Sequence, residues 1–527
     1  MIHPRFKSSP WTHVLAAGAF LLLTAWSFPY FPNLGSPNEL TRLYLTRAIV
    51  DEGSFSIDGP VRRYGPVTDM SRFEGKLYTD KAPGVSFFGT AVYAVLKLFN
   101  GWQGYRIDNA LLLRWLRILI SGLSAALTMI LLSSLLKDMG LGLDMRLVVA
   151  WAWAVATVAF PYGSLLYGHG LCALWITTSF WALVKLRRSP SSAWLSFVAG
   201  VSLGLALFTE YTSILLVGPL GLAAVWVSRK NPLALGLGAL GAAIPLTVLA
   251  LYHQACFGAP WATGYAHLVN RHYAHVHEQG FMGLVTPSFH RLWLIMFGTT
   301  RGLLFYSPWL LLAPVGIFKL ISSGQHDRIG IRPLWIAVGA ATFLYLLFAM
   351  SLKIDAWGWS LGPRHFTPLL PVLALASGTL FAPGKRTSTV TTVFFAVAVA
   401  YSMIVTVTAF VVFGGFPPDF TNPLADFVAP LALRGCVAPN MASEVGLGAW
   451  VGFILIEAGL AYLIYWTYKV LPLQKPYKYA AAIVALVAIT CAFSIRGDNP
   501  PKEDRAYRWV YGDILRCSND KPRDQGK

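Results

Sequence analysis

The sequence predicts an all-α polytopic membrane protein with about thirteen transmembrane helices and further interfacial helices in its first outer loop. Three observations carry that prediction. Of the 527 residues, 55% are apolar and only 13% are charged, about half the charged share of a soluble domain. Uninterrupted apolar runs of about 20 residues, the length that crosses a bilayer, recur from Thr12 to Ser494. The Lys and Arg between them cluster in alternate connections, as they do when cytoplasmic loops hold the positive charge. A disordered chain, a cytosolic enzyme and a secreted disulfide scaffold are excluded. The five cysteines, at 172, 256, 436, 491 and 517, have no paired or metal-like spacing and predict no disulfide framework.

The first run, 12–30, follows Arg5 and Lys7 and has no small-x-small cleavage site behind it, so it reads as an uncleaved first helix. The next apolar stretch, 83–100, would count as a span by hydropathy alone, but it is only 18 residues long, carries Lys97 and starts directly at Lys81-Ala82-Pro83. If it spanned, Lys185, Arg187, Arg188, Arg229 and Lys230 would fall outside, against the charge rule. It is therefore expected to lie along the outer interface. The remaining spans run over 109–136, 145–163, 169–186, 193–209, 211–228, 233–255, 303–321, 333–350, 365–382, 389–413, 447–468 and 479–495. On this map seventeen cations and three acids occupy the inside connections, so most of the +18 net charge orients the bundle. The surplus gives no reason to expect nucleic acid as a partner. The layout divides into 1–255, a first module containing the outer loop 31–110; 256–495, a second module; and a polar tail, 496–527.

The loop 31–110 holds eight of the chain's 24 acids beside nine cations. A connection of this length in a helical bundle carries function or is disordered, and its apolar residues Leu43, Tyr44, Leu45, Phe55, Phe73, Leu77 and Tyr78 argue for order. Two stretches stand out. In Ser36-Pro37-Asn38-Glu39-Leu40-Thr41-Arg42, Pro37 can open a helix that sets Glu39 at the membrane edge with Arg42 one turn on. In Tyr78-Thr79-Asp80-Lys81-Ala82-Pro83, an acid and a base stand side by side before the interfacial helix. Either alone reads as a capped helix with an exposed ion pair.

Taken together, an acid beyond the first span and a Tyr-x-acid-Lys-x-Pro stretch some forty residues later resemble the GT-C superfamily of integral membrane glycosyltransferases. The nearer resemblance is to the enzymes that use polyprenyl-phosphate sugars, such as lipid A aminoarabinose transferases and protein O-mannosyltransferases. Where that family has an acidic pair, this sequence has Asn38-Glu39; its acid-Lys-Pro segment is similar to Asp80-Lys81-Ala82-Pro83; and His169 stands where relatives carry a further outer acid. The resemblance implies transfer of a hexosyl or pentosyl group from a polyprenyl-phosphate donor to a lipid, glycan or protein acceptor. The site would lie on the periplasmic face of the inner membrane. A carboxylate must take the acceptor's proton, with Glu39, Asp80 and Asp69 as candidates. Cations must balance the departing phosphate, with Lys81, Arg42, Arg301 and Arg364 as candidates. Asn38, Tyr78, His169 and Glu210 are candidate cavity residues.

Other features give weaker signals. Six of eleven histidines lie between His253 and His290, but His272, His275 and His277 do not share one helix face, so they read as loop residues and no metal site is assigned. A divalent metal stays open, and no other cofactor is expected. No dinucleotide or P-loop motif is present. The alternatives are a transporter or lipid flippase, which the lack of clear repeats and mid-span acids disfavours, and a non-catalytic partner built on the same scaffold, which Asn38 keeps open.

Overall fold

The computed structural model describes residues 11–31, 36–101, 107–280, 282–322, 330–383, 387–497 and 500–517. The inside cations Arg5, Lys7, Arg328, Lys385 and Arg386 lie outside them. Helices occupy all thirteen segments read as spans. Among the described residues, seven are long and apolar enough to cross a membrane: Asn109–Asp138, Tyr211–Ser228, Pro232–Phe257, Arg332–Ser351, Thr389–Phe413, Ala449–Val470 and Lys475–Ser494. Others are short, as Thr12–Ser27 and Trp194–Thr209 are, or broken. The 303–321 segment, for example, divides at Ser307 and Pro308. Thr389–Phe413 is central, with 83% of its most apolar stretch buried; Ala449–Val470 and Lys475–Ser494, at 17%, present apolar side chains at the periphery. A polytopic helical membrane protein accounts for both, because lipid is the solvent of the outer faces.

The first loop forms a cap on one end of this bundle. Helix α1 (Thr12–Ser27) leads to α2 (Pro37–Glu52), whose Pro37 stands in the first turn. A short α3 (Asp58–Tyr64) follows, then strands β1 (Met70–Phe73) and β2 (Lys76–Thr79), and α4 (Gly84–Gly101). The hairpin corrects the expectation that this loop holds helices alone. Its two turn residues, Glu74 and Gly75, have φ of 47° and 79°, the two positive values of the tight turn that matches strand twist.

Helix α4 lies along the end of the bundle. A Cβ on Gly84 would sit 2.8 Å from the backbone of Phe208 and Thr209, at the end of Trp194–Thr209. Near its other end Lys97 pairs with Asp51 of α2 at 2.7 Å. The same helix α2 uses Arg47 to reach the start of Asn109–Asp138, donating to Asn109 Oδ1 at 2.6 Å and to the Ile107 carbonyl at 2.7 Å. Both ends of α4 are thus tied to one end of the bundle, while Val95, Leu98 and Phe99 are exposed.

Two further corrections concern the second half. Cys436 and Cys517 are bonded, with Cα atoms 6.0 Å apart; a separation of 81 residues hid the pair from a search for local spacing. Glu457 lies within Ala449–Val470, a mid-span acid where none was expected, and accepts a hydrogen bond from Thr408 at 2.7 Å.

Candidate active site

The hairpin register builds the centre of the site. Met70 pairs with Thr79 and Phe73 with Lys76, so Asp69 and Asp80, one residue beyond each strand, stand opposite one another at its open end. Lys81 follows Asp80 and bridges them, with Nζ 3.0 Å from Asp69 Oδ2 and 2.9 Å from Asp80 Oδ2. The other Asp80 oxygen, Oδ1, is buried with no hydrogen-bond partner. Thr41 of α2 donates to the Thr79 hydroxyl at 2.9 Å and anchors this end of the hairpin. The 264–269 segment covers its other side: Ser71 donates to the Gly264 carbonyl at 2.6 Å, Val269 N donates to the Met70 carbonyl, and Tyr265 lays its ring 5.9 Å from Lys81 Nζ.

Two carboxylates sharing one ammonium cannot titrate alike. Burial works to raise Asp69, but the charge and hydrogen bond of Lys81, with Arg364 and Arg42 behind them, hold its carboxyl below the ordinary range. At Asp80 burial prevails: with the negative charge of Asp69 beside it, the carboxyl is raised despite Lys81 and Arg42. Burial would lower Lys81, yet the two aspartates and Tyr265 raise it, so it stays charged.

Glu39 is differently placed. Arg117 donates from Nε to its Oε1 at 2.8 Å and from Nη2 to its Oε2 at 2.6 Å, and Leu166 N donates to Oε1 at 2.8 Å. The side chain is sealed from solvent, and Arg117 also donates to the Pro29 carbonyl at 2.7 Å. This pair joins the end of α1, the start of α2 and the π-helical turn Arg117–Gly122. Nor does Arg42 pair with Glu39. It donates to the Asn38 carbonyl at 2.8 Å, to the Asn38 side chain, and to Glu210 Oε1 at 3.1 Å.

The remaining candidates divide. His169, 3% exposed, has its Nδ1 3.8 Å from Glu210 Oε1. Arg364 is close enough to act on Asp69 and holds its guanidinium 5.9 Å from the Tyr167 ring centroid. Among the described residues its side chain makes no hydrogen bond or ion pair, and Nε is buried. Arg301 donates to the Gly358 carbonyl at 2.7 Å, one residue chain-wise from Trp359. Tyr78 turns away into a packed cluster with Tyr44, Ile57 and Tyr252 and meets the Phe257 ring at 5.5 Å. The site draws on both sides of position 255.

No described protein family matches the chain, and no curated protein is similar to it in sequence. Among solved structures it is similar to ArnT from Cupriavidus metallidurans bound to undecaprenyl phosphate, with 13% identity, a TM-score of 0.48, and 96% of this chain and 79% of that one covered. The apo state of the same protein gives 15% identity and a TM-score of 0.49, over 91% and 77% of the two chains. The arabinosyltransferase EmbB from Mycobacterium smegmatis gives 12% identity and a TM-score of 0.42, over 93% of this chain and 42% of that one. These are GT-C membrane glycosyltransferases, the group that the first-loop residues resemble.

Three site residues went unread in the sequence. Arg117 lies inside an apolar run, where a cation needs a partner, and that was its available signal. His365 adjoins Arg364 and puts its ring 5.2 Å from that of His169. Tyr265 has no signal in the sequence. The histidines of Arg271–Glu278 find local partners: Gln279 for His275, and the Met282 carbonyl and Tyr265 ring for His277. Among the described residues no group of three His, Cys, Asp or Glu is gathered to hold a metal. An apolar groove of about 550 Å³ lies elsewhere, between α1, Leu143–Val155 and Ala449–Val470.

Proposed function

We propose that this chain is a membrane glycosyltransferase that moves a sugar from a polyprenyl-phosphate donor to a hydroxyl acceptor. One observation carries the reading: Asp80 keeps a buried oxygen without a partner, held by Lys81 against Asp69, within charge reach of Arg42. A carboxylate so placed is a general base whose proton-accepting atom is not spent on the protein. Glu39, with both oxygens engaged, fits a positioning role.

In this scheme the acceptor hydroxyl gives its proton to Asp80 Oδ1 while its oxygen bonds to the anomeric carbon. The bond from that carbon to the phosphate oxygen breaks, and its electron pair stays on the phosphate. Arg364 grips the phosphate, since a guanidinium can offer two parallel N–H groups. Lys81 and Arg42 add positive potential where the charge develops. The Cys436–Cys517 bond supports a site facing an oxidising compartment such as the periplasm.

The transport alternative draws only on Glu457, a single acid bonded to Thr408 rather than one of a chain of ionisable groups. The test supplies membranes containing the protein with labelled polyprenyl-phosphate sugars and follows label into an acceptor. Transfer by the wild type that is lost in Asp80→Asn is expected. Label that never leaves the donor, with any of the sugars, would reject the proposal.

A further inference from the structure

His169, a candidate cavity residue, is buried and His365 beside it is half-buried, and their surroundings are unusual for imidazoles. Their rings meet edge to face at 5.2 Å. Nδ1 of each is buried and lacks a hydrogen-bond partner. Glu210, the nearest carboxylate to His169, lies beyond hydrogen-bond reach at 3.8 Å and is already bound by Arg42. His365 is otherwise boxed in by rings, with Trp357 at 5.1 Å and Phe348 at 5.6 Å. His169 lies within electrostatic reach of Arg364, Arg42 and Lys81.

Leaving a polar group buried without a partner costs about 1–3 kcal/mol, and most such groups in folded proteins are satisfied. Here several gather at one place, and their chemistry is lopsided. Arg42 Nε and Arg364 Nε are donors, and each neutral imidazole carries one N–H. Against them stand Asp80 Oδ1 and the one unprotonated nitrogen that each neutral imidazole keeps. A single ligand hydroxyl would satisfy Asp80 Oδ1. The donors call for an anion with several oxygens.

We infer that His169 and His365 complete, with Arg364, the pocket for the phosphate of the lipid donor, each giving one N–H to a phosphate oxygen. This deepens the proposed function and rests on it. The imidazole donors act by geometry, selecting a tetrahedral oxyanion that a lone guanidinium would bind less specifically. Asp80 stays reserved for the acceptor.

The test measures binding of farnesyl phosphate and of farnesol to the purified full-length protein in nanodiscs. The readout is the ratio of the two affinities, because a merely structural role would weaken both alike. The wild type is expected to prefer the phosphate, and Arg364→Ala to lose that preference. His169→Phe and His365→Phe should each lower the ratio by about tenfold, the worth of one hydrogen bond to a charged group. His169→Gln and His365→Gln, which keep an N–H donor, should restore much of it and serve where a Phe variant does not fold. An unchanged ratio in the His variants with a lost one in Arg364→Ala overturns the histidine pocket and leaves the proposed function standing. A wild type that holds farnesyl phosphate no better than farnesol overturns both.

Discussion

Asp80 and Glu39 are both buried carboxylates in the first loop, and their neighbours divide the work between them. Replacing Asp80 by Asn should lower transfer by about 100-fold or more, the usual worth of a general base, with little change in thermal stability. Because its carboxyl is raised by burial, the ionised base is lost as pH falls through a value above the ordinary ~3.9 of an aspartate. Transfer should therefore fail earlier on the acid side than an ordinary carboxylate would allow. Asp69→Asn, which removes the negative neighbour, should move that limb to lower pH in a pH–rate profile. Glu39→Gln and Arg117→Met should instead each cost about 3–5 kcal/mol of stability, since each strands a buried charge, and the double variant should recover part of the loss. Thermal unfolding separates the two patterns. The acids were legible in the sequence, because charge is rare in this chain and eight acids crowd into one loop. Their partners were not: Arg117 is 78 positions from Glu39 and Glu210 is 168 from Arg42, and only the packing of the bundle brings them together.

Among the elements, the hairpin is the one on which the site depends most. Its turn holds Gly75 at φ 79°, a conformation that costs a side-chain-bearing residue roughly 1–2 kcal/mol. Gly75→Val should lower both stability and transfer, whereas Gly65→Ala, at φ 93° but away from the hairpin turn, should affect stability more than transfer. Gly264→Ala tests the same element from its other side, because a Cβ there would lie 2.8 Å from the Asp80 Cα and from the Ser71 hydroxyl. Transfer by that variant should fall further than its melting temperature suggests, and unchanged kinetics would mean the carboxylates are not held by the hairpin. The sequence showed α2 through Pro37 and the course of α4 through its charge pattern. It hid the hairpin, since two strands of four residues leave too little alternation to stand out from a loop.

At the scale of the whole molecule, hydropathy was enough to find thirteen helical segments of the bundle, but not the shorter apolar helices Phe289–Phe297 and Leu424–Leu433. The broken segments and the long-range disulfide were not visible, the first because hydropathy does not record where a helix bends, the second because chain separation carries no signal of pairing. Two spans separate Cys436 from Cys517, which puts both on one side, and the bond persists only where thiols are oxidised. In intact cells a membrane-impermeant maleimide should label neither cysteine until a reductant is added, and both afterwards. Labelling that requires permeabilised cells would place this end in the cytoplasm. The bond also closes Ala449–Val470 and Lys475–Ser494 into a covalent ring that no open chain could form. A protease nicking the connection at 471–474 would therefore open the ring without separating its pieces: one band without reductant, two with it. Ala449–Val470 and Lys475–Ser494 are thereby stapled to the bundle at their periphery, where packing alone holds them least.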